Sequence, residues 1–407
     1  MRSIALPTLA VGVALALAGP SGAKVLSVRP GPDAAELLQT ALIAARPGDT
    51  VQLGAGRFDI PDSLSLDVAR VTLRGAARDA TILAFERQKA GADGLLITGN
   101  GAVIEDLSVE NAKGNGIKAL GVDGIIFRRV RVEWMGGPKQ SNGAYGVYPV
   151  ASQHVLIDHV LVKGASDAGI YVGQSRFVVV QNSEAAYNVA GIEIENCYNA
   201  DVHDNLSTHN AGGILVFDLP GLPQMGGHSV RVYDNKIVDN DTPNFAPKGN
   251  IVAKVPTGTG VMVMANRDVH VFRNTIDGNA SVGVLLVSYL NAFNDAAYNP
   301  LPRDVSVHDN HIGKNGFAPA FDGGPLLAKA LGGAIPPVMW DGVTRFRMPG
   351  GAPSTDVVQL VIKDGPVVDL GLVDQGTAVG HANPKVTPTL GEGVLPEPAP
   401  VVLPTAR

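Results

Sequence analysis

A single cysteine, Cys197, stands in 407 residues, so no intrachain disulfide can staple this fold and no thiolate pair can form a zinc or redox motif. Charged residues are also scarce, at 17% where about 25% is ordinary. The 32 basic side chains are outnumbered by 38 acidic ones, for a net charge of −6, which excludes the basic footprint of a nucleic-acid binder. His-Glu-x-x-His, Gly-x-Ser-x-Gly and phosphate-loop signatures are missing as well. Gly and Pro, in contrast, are abundant at 49 and 28, which excludes a coiled coil or helical bundle. With 45% hydrophobic residues the chain can bury a core, so disorder is excluded too.

The longest uninterrupted apolar character lies at the start. Arg2 is followed by an apolar run from Ile4 to Ala18, broken only by Pro7, Thr8 and Gly12, and then by the small residues Ser21, Gly22 and Ala23. This is the layout of a secretory leader over residues 1–23. The run falls short of the ~20 residues a membrane span needs, and no cysteine follows it to carry a lipid. The expectation is an exported protein, periplasmic or extracellular, with no membrane anchor.

Beyond the leader the dominant feature is a repeat. A Gly followed by alternating apolar residues recurs at Gly94, Gly116, Gly146, Gly169, Gly191, Gly213, Gly260 and Gly283, at spacings of 22, 30, 23, 22, 22, 47 and 23. A second period-two segment follows and ends in Asn205, Asn235, Asn274 and Asn310, each with another Asn five residues on, at 210, 240, 279 and 315. Period two means strands. A unit of about 22 residues cannot bury an apolar face alone, but stacked coils with strands ~4.8 Å apart share one continuous core. The fold class is therefore all-β, a right-handed parallel β-helix over residues 24–316. The recurrent Asn fits turns needing a left-handed residue, and stacked Asn side chains can hydrogen-bond along the column. Residues 33–45 form an amphipathic helix that caps the first coil. Residues 317–382 read as an irregular C-terminal region with one strand pair around 357–363 and 367–372, and 383–407 as a Pro-rich extended tail.

Departures from the period mark insertions at 136–144, 219–228, 241–259 and 289–303. Two precede the Gly-led strand and two follow it, so together they wall a groove over one sheet. Strand alternation puts Lys118, Tyr148, Tyr171, Glu193, Leu215 and Met262 in one outward column on its floor, and Glu195, Phe217 and Met264 in the next. Glu193 and Glu195 share one face of one strand, with Asp218 one coil higher. Such carboxylates can act as general acid and base on a glycosidic bond, bind Ca²⁺, or form a solvated edge. Tyr148 and Tyr171 can stack on sugar rings or fill an aromatic column. His203, Tyr233, Phe272 and His308 share another outward slot, an outer-face ladder with its histidines too far apart to share a metal.

The stretch from Gly169 to Cys197, the Gly-Gly-Ile-Leu-Val-Phe-Asp-Leu-Pro-Gly-Leu-Pro run at Gly212 and the Asn-Phe-Ala-Pro-Lys-Gly-Asn run at Asn244 resemble an exported bacterial family of parallel β-helix repeat proteins. That resemblance implies the fold, export and pairing with an exported c-type haem protein. The family has no established reaction, so no catalytic residue is carried over. By architecture the chain is more distantly similar to pectate lyases, alginate lyases, mannuronan epimerases, polygalacturonases and the copper-linked accessory protein of nitrous-oxide reductase. The segment from Tyr145 matches the epimerase motif Tyr-Gly-Phe-Asp-Pro-His at Tyr145, Gly146 and Pro149, but Tyr148 and Val150 replace its Asp and His.

Two functions are expected. One is binding or processing of an acidic polysaccharide, lyase-like if catalytic. Tyr148 or Tyr171 would be the base, Lys118 would neutralise a uronate, and Glu193 and Glu195 would be acid and base or, with Asp218, calcium ligands. Phe217, Asp218, Met262 and Met264 would complete substrate binding. The other is a non-catalytic periplasmic scaffold for a haem or copper protein docked on the Leu, Phe and Met columns. A monomer is expected in either case.

Overall fold

Each Gly-led motif opens the first of three strands in a coil. In the computed structural model, which describes residues 22–352, 354 and 357–404, one coil runs Ala168–Gly173, Arg176–Gln181 and Glu184–Ala186, and the next Ala190–Glu195, Tyr198–His203 and Leu206–Thr208. The expected leader falls almost wholly on residues 1–21, outside those described. Successive coils pair in parallel without slippage, Ile170 opposite Ile192 and Ile192 opposite Ile214. The Gly-led strands build a 12-stranded sheet, and the other two faces merge into a larger one. The chain thus winds as a right-handed parallel β-helix. Ile170, Ile192, Ile214, Val261 and Val284 form one fully buried column of the interior, and each such side chain contributes about 1.5–3 kcal/mol by leaving water.

The corners are held by amides. Asn205, Asn235, Asn274 and Asn310 pass hydrogen bonds from each side-chain Nδ2 to the next Oδ1 at 2.9–3.0 Å, and a second column links Asn188, Asn210, Asn240, Asn279 and Asn315 at 2.9–3.1 Å. The left-handed residue expected at the first corner is not the Asn but the one before it: Asp204, Asp234, Arg273 and Asp309 have φ of 54–57°. The Asn is needed for its amide, which satisfies backbone groups inside a dry corner.

The recurrent Gly answers a close approach. A Cβ on Gly191 would lie 2.8 Å from Nδ2 of Asn210 and 2.6 Å from the carbonyl oxygen of Gly213 in the next coil. The chain bends there, so the Gly and the residue after it both face the interior, and the residue before it turns outward.

The helix Ala34–Ala44 lays Ala34, Leu38 and Leu42 over the first coil, as expected. The far end differs from expectation. After an excursion containing the helix Gly324–Ala330, Val338–Trp340 rejoins the Gly-led sheet beside Val282–Val287, and Val367–Asp369 adds another strand to it. Leu360–Ile362 extends the second sheet beside Arg303–His308. The expected strand pair therefore belongs to two different sheets, and the coil continues past residue 316, its period hidden by the intervening loops.

The Pro-rich tail is docked rather than loose. Lys385–Thr387 caps the Gly-led sheet edge as an antiparallel strand. Glu397 then reaches Arg231 at 2.7 Å, and the Val401 amide donates to Asp201 at 3.0 Å, so the tail returns across the outer face of the second sheet. The aromatic ladder is also in place, with His203, Tyr233, Phe272 and His308 stacked at centroid spacings of 4.8–5.2 Å. No described helix is long and apolar enough to cross a membrane.

Candidate active site

The register puts the predicted floor together. Lys118 stands beside Tyr148, Tyr171 beside Glu193, Glu193 beside Leu215 and Leu215 beside Met262, with Glu195, Phe217 and Met264 in the adjoining column. These side chains point away from the coil interior, yet beyond the half-buried Lys118 and Tyr148 they are not solvated. Tyr171, Glu193, Glu195, Leu215, Phe217, Met262 and Met264 are all buried. The inserted loops fold over them and contribute Val252, Val255, Tyr298 and Leu301 to a second apolar cluster outside the coil. The solvated-edge reading of the Glu pair is thereby excluded. The Leu, Phe and Met columns are likewise no open docking face for a redox protein.

A cavity of about 380 Å³ remains over the carboxylates. Its floor is Tyr145, Asp167, Tyr171, Glu193 and Glu195, and its walls are Leu219, Pro220 and Leu222 from one insertion, Gly249 to Val252 from another and Tyr289 from a third. The insertion ahead of Tyr145 is not a wall. It holds the corner instead, with the Ala144 carbonyl accepting the Asp167 amide at 3.0 Å.

Within the cavity, Tyr171 Oη donates to Glu195 Oε1 at 2.7 Å, and Asn250 Nδ2 donates to Asp167 Oδ2 at 2.6 Å. Oε2 of Glu193 finds no partner among the described residues. Burial raises the Glu193 carboxyl well above the usual range, and the nearby Asp167 and Glu195 raise it further. Burial lifts Glu195 to about 7 against the lowering bond from Tyr171, and Asp167 to about 6 against the bond from Asn250. Burial thus favours the neutral form of Glu193, beside a Glu195 carboxyl lifted to about 7. Among the described residues lining the cavity there is no Lys or Arg.

Several expected roles change on this geometry. Burial raises Tyr171 well above the ordinary phenol value, and the adjacent Glu195 adds to the shift; Tyr148 is also raised, again by burial first. Both phenols are thereby held neutral near pH 7, whereas the Glu195 carboxyl is lifted to about 7. Lys118 lies three strand spacings from Glu193, roughly 14 Å along the backbone, with its Nζ 5.0 Å from the Tyr148 ring centroid, and it does not line the cavity. Asp218 turns its carboxylate to the Gly226 and Gly227 amides at 3.1 and 2.8 Å, which fixes its loop. Glu193, Glu195 and Asp218 are thus not assembled as a calcium set, and among the described residues no three His, Cys, Asp or Glu are placed to hold a metal ion. Phe217, Met262 and Met264 line a neighbouring apolar cavity rather than the carboxylate site.

Two floor residues were not anticipated. Tyr145 packs against Tyr148 and Tyr171 at centroid distances of 4.5 and 4.4 Å, and Asp167 sits on the corner before Gly169. Tyr145 directly precedes a Gly at which the alternation breaks, and Asp167 lies one residue ahead of the strand Ala168–Gly173. Asn250 lies in an insertion with no periodic signal.

Residues 93–242 match the family model described as the right handed beta helix region. The fold of the chain is that of a right-handed β-helix. No curated relative matches it. Among solved structures it is similar to the A-module of the Azotobacter vinelandii mannuronan C-5 epimerase AlgE4, at 19% identity over 69% of this chain and 85% of that one, with a TM-score of 0.46. It is also similar to the alginate lyase of Paenibacillus sp. str. FPU-7, at 18% identity over 72% and 97%, with a TM-score of 0.42. A third is the DFA-IIIase of Arthrobacter chlorophenolicus A6, at 12% identity over 72% and 88%, with a TM-score of 0.43. These likenesses assign no role to any residue of this chain.

Proposed function

We propose that this chain is an exported carbohydrate-processing enzyme that cleaves a glycosidic bond by general acid–base catalysis over the Gly-led sheet. The observation that carries the reading is the buried Asp167, Glu193 and Glu195 set on the floor of a cavity whose described lining includes no cation. Glu193, kept protonated by burial, donates its proton to the leaving glycosidic oxygen as the C–O bond breaks. Glu195 takes a proton from the water whose oxygen bonds to the anomeric carbon. Asp167, held by Asn250, hydrogen-bonds a sugar hydroxyl, and the Tyr145, Tyr148 and Tyr171 cluster offers an aromatic edge for the adjoining ring.

This chemistry favours a neutral or amino sugar over a uronate. Carboxyls that ionise near pH 6–7 repel a uronate in a cavity with no compensating charge. Thermal melting of the mature protein against neutral, amino and acidic oligosaccharides tests the reading. Neutral or amino glycans are expected to raise the melting temperature of the wild type and not that of Glu193→Ala. A rise confined to uronates, or one unchanged in Glu193→Ala, would overturn it.

A further inference from the structure

The carboxylate cavity adjoins a second cavity of about 380 Å³. Its walls include Phe217, Met262, Met264, Leu285, Met339 and Leu370, and the two cavities share Ile251 and Tyr289. Their floors are continuous in register, since Glu195 pairs with Phe217 and Phe217 with Met264. One strand spacing, ~4.8 Å, separates each step.

The described lining of the second cavity is chiefly apolar, with Ser288, Tyr289, Asn291 and Thr377 its neutral polar side chains. Asp341, its only carboxylate, spends Oδ2 on the Ser288 amide and hydroxyl at 2.6 and 2.8 Å and Oδ1 on the Val343 amide at 3.0 Å. Lys254 is exposed and holds Asn291 through its ammonium group. Met, Leu, Val and Phe side chains dominate the lining, in a cavity of the size of a small-molecule site. Three methionines make it adaptable to a flexible occupant.

We infer that this cavity binds an alkyl or acyl chain carried by the sugar in the carboxylate site, so that the substrate is an amphiphilic glycan of the glycolipid class. This rests on the proposed carbohydrate reading, because the sugar places the chain. The occupant is a chain on the substrate rather than a protein segment, because the protein's own loops at 251–256, 289–291 and 376–379 line the cavity and it adjoins the carboxylate site at Ile251 and Tyr289. A chain there removes apolar wall from water in the same binding event that seats the sugar.

Calorimetry on the full-length mature protein with n-hexyl, n-octyl and n-decyl β-D-maltoside below their micelle concentrations tests this. Maltose and 1-octanol serve as the two halves. Affinity is expected to rise about three- to fourfold per added methylene until the cavity is filled, and octyl maltoside should bind tighter than either half. Met264→Gln, close in shape, should flatten the chain-length series while leaving maltose binding unchanged. The wild-type series stands on its own if that variant fails to fold. Octyl maltoside binding no tighter than maltose would overturn the chain site and leave the carbohydrate reading intact. Octyl maltoside binding no tighter than 1-octanol would overturn the sugar site, and this inference with it.

Discussion

Tyr171 donates its hydroxyl hydrogen bond to Glu195 across adjacent coils at 2.7 Å, and it does so by lying over a glycine. A Cβ on Gly173, the register partner of Glu195, would lie 2.5 Å from the Tyr171 ring. The missing side chain lets the ring fold along its own strand and reach the carboxyl of the next coil. That bond lowers Glu195 against the rise imposed by burial.

Tyr171→Phe removes the lowering contribution, so the Glu195 carboxyl rises above its wild-type value of about 7. The base works when ionised, so the ascending limb of the pH–rate profile should move upward. For a shift of one unit, kcat/KM below the limb falls about tenfold and is nearly unchanged well above it. The profile of kcat/KM against pH checks this. A pH-independent loss would mean that Tyr171 acts on the substrate instead.

Gly173→Ala should have the same signature for a steric reason, because the new methyl displaces the Tyr171 ring. The fold should persist, since the change lies outside the coil interior. Near-ultraviolet circular dichroism should report the moved tyrosine, with the far-ultraviolet spectrum unchanged.

Burial of the carboxyls also sets how stability depends on pH. Glu195 and Asp167 are raised in the folded state, to about 7 and about 6, so the folded protein binds more protons than the unfolded chain between the ordinary carboxylate range and those values. Their contribution is fully present below the unfolded values and is lost as pH rises through 6–7. Glu195→Gln cannot ionise, so its melting temperature relative to wild type should rise from pH 4.5 to pH 8. Melting curves across that range check the sign. A difference that stays flat would show that Glu195 is not desolvated.

The Asn corners predict a stability effect far from the site. Oδ1 of Asn235 accepts from the amide and side chain of Asn205 at 3.0 Å, and its own Nδ2 donates to Asn274 at 2.9 Å. Asn235→Ala takes away the acceptor of the buried Asn205 amide, while Asn205 Nδ2 keeps Val180 and Asn274 Oδ1 keeps the residue 235 amide, at a cost of about 1–3 kcal/mol. Denaturant unfolding should show that loss, with no change in glycan binding.

The coil architecture was legible because stacking forces repetition. Gly191 and Asn210 recur in successive coils since each must fit against its own counterpart above and below. Alternation likewise put Tyr171, Glu193 and Glu195 on one face. It could not show that the face is buried, because burial depends on where loops such as the one carrying Asn250 and Ile251 come to rest. Tyr145 escaped because it directly precedes a glycine at which the inward–outward rule is interrupted, and Asp167 because it lies on the corner ahead of the strand Ala168–Gly173. The coils beyond residue 316 were hidden by loops that separate Val284 from its partner Val338.

The central claim is that Glu193 and Glu195 act as acid and base on a glycosidic bond. The most direct measurement is release of reducing ends from a panel of neutral and amino glycans by wild type, Glu193→Gln and Glu195→Gln, followed from pH 5 to pH 9 with product masses recorded. Hydrolysis by this pair gives products heavier than the sum of their residues by one water, and each variant should lose about 10²–10⁴ in kcat. Unsaturated products, or a Glu193→Gln protein as active as wild type, would contradict it.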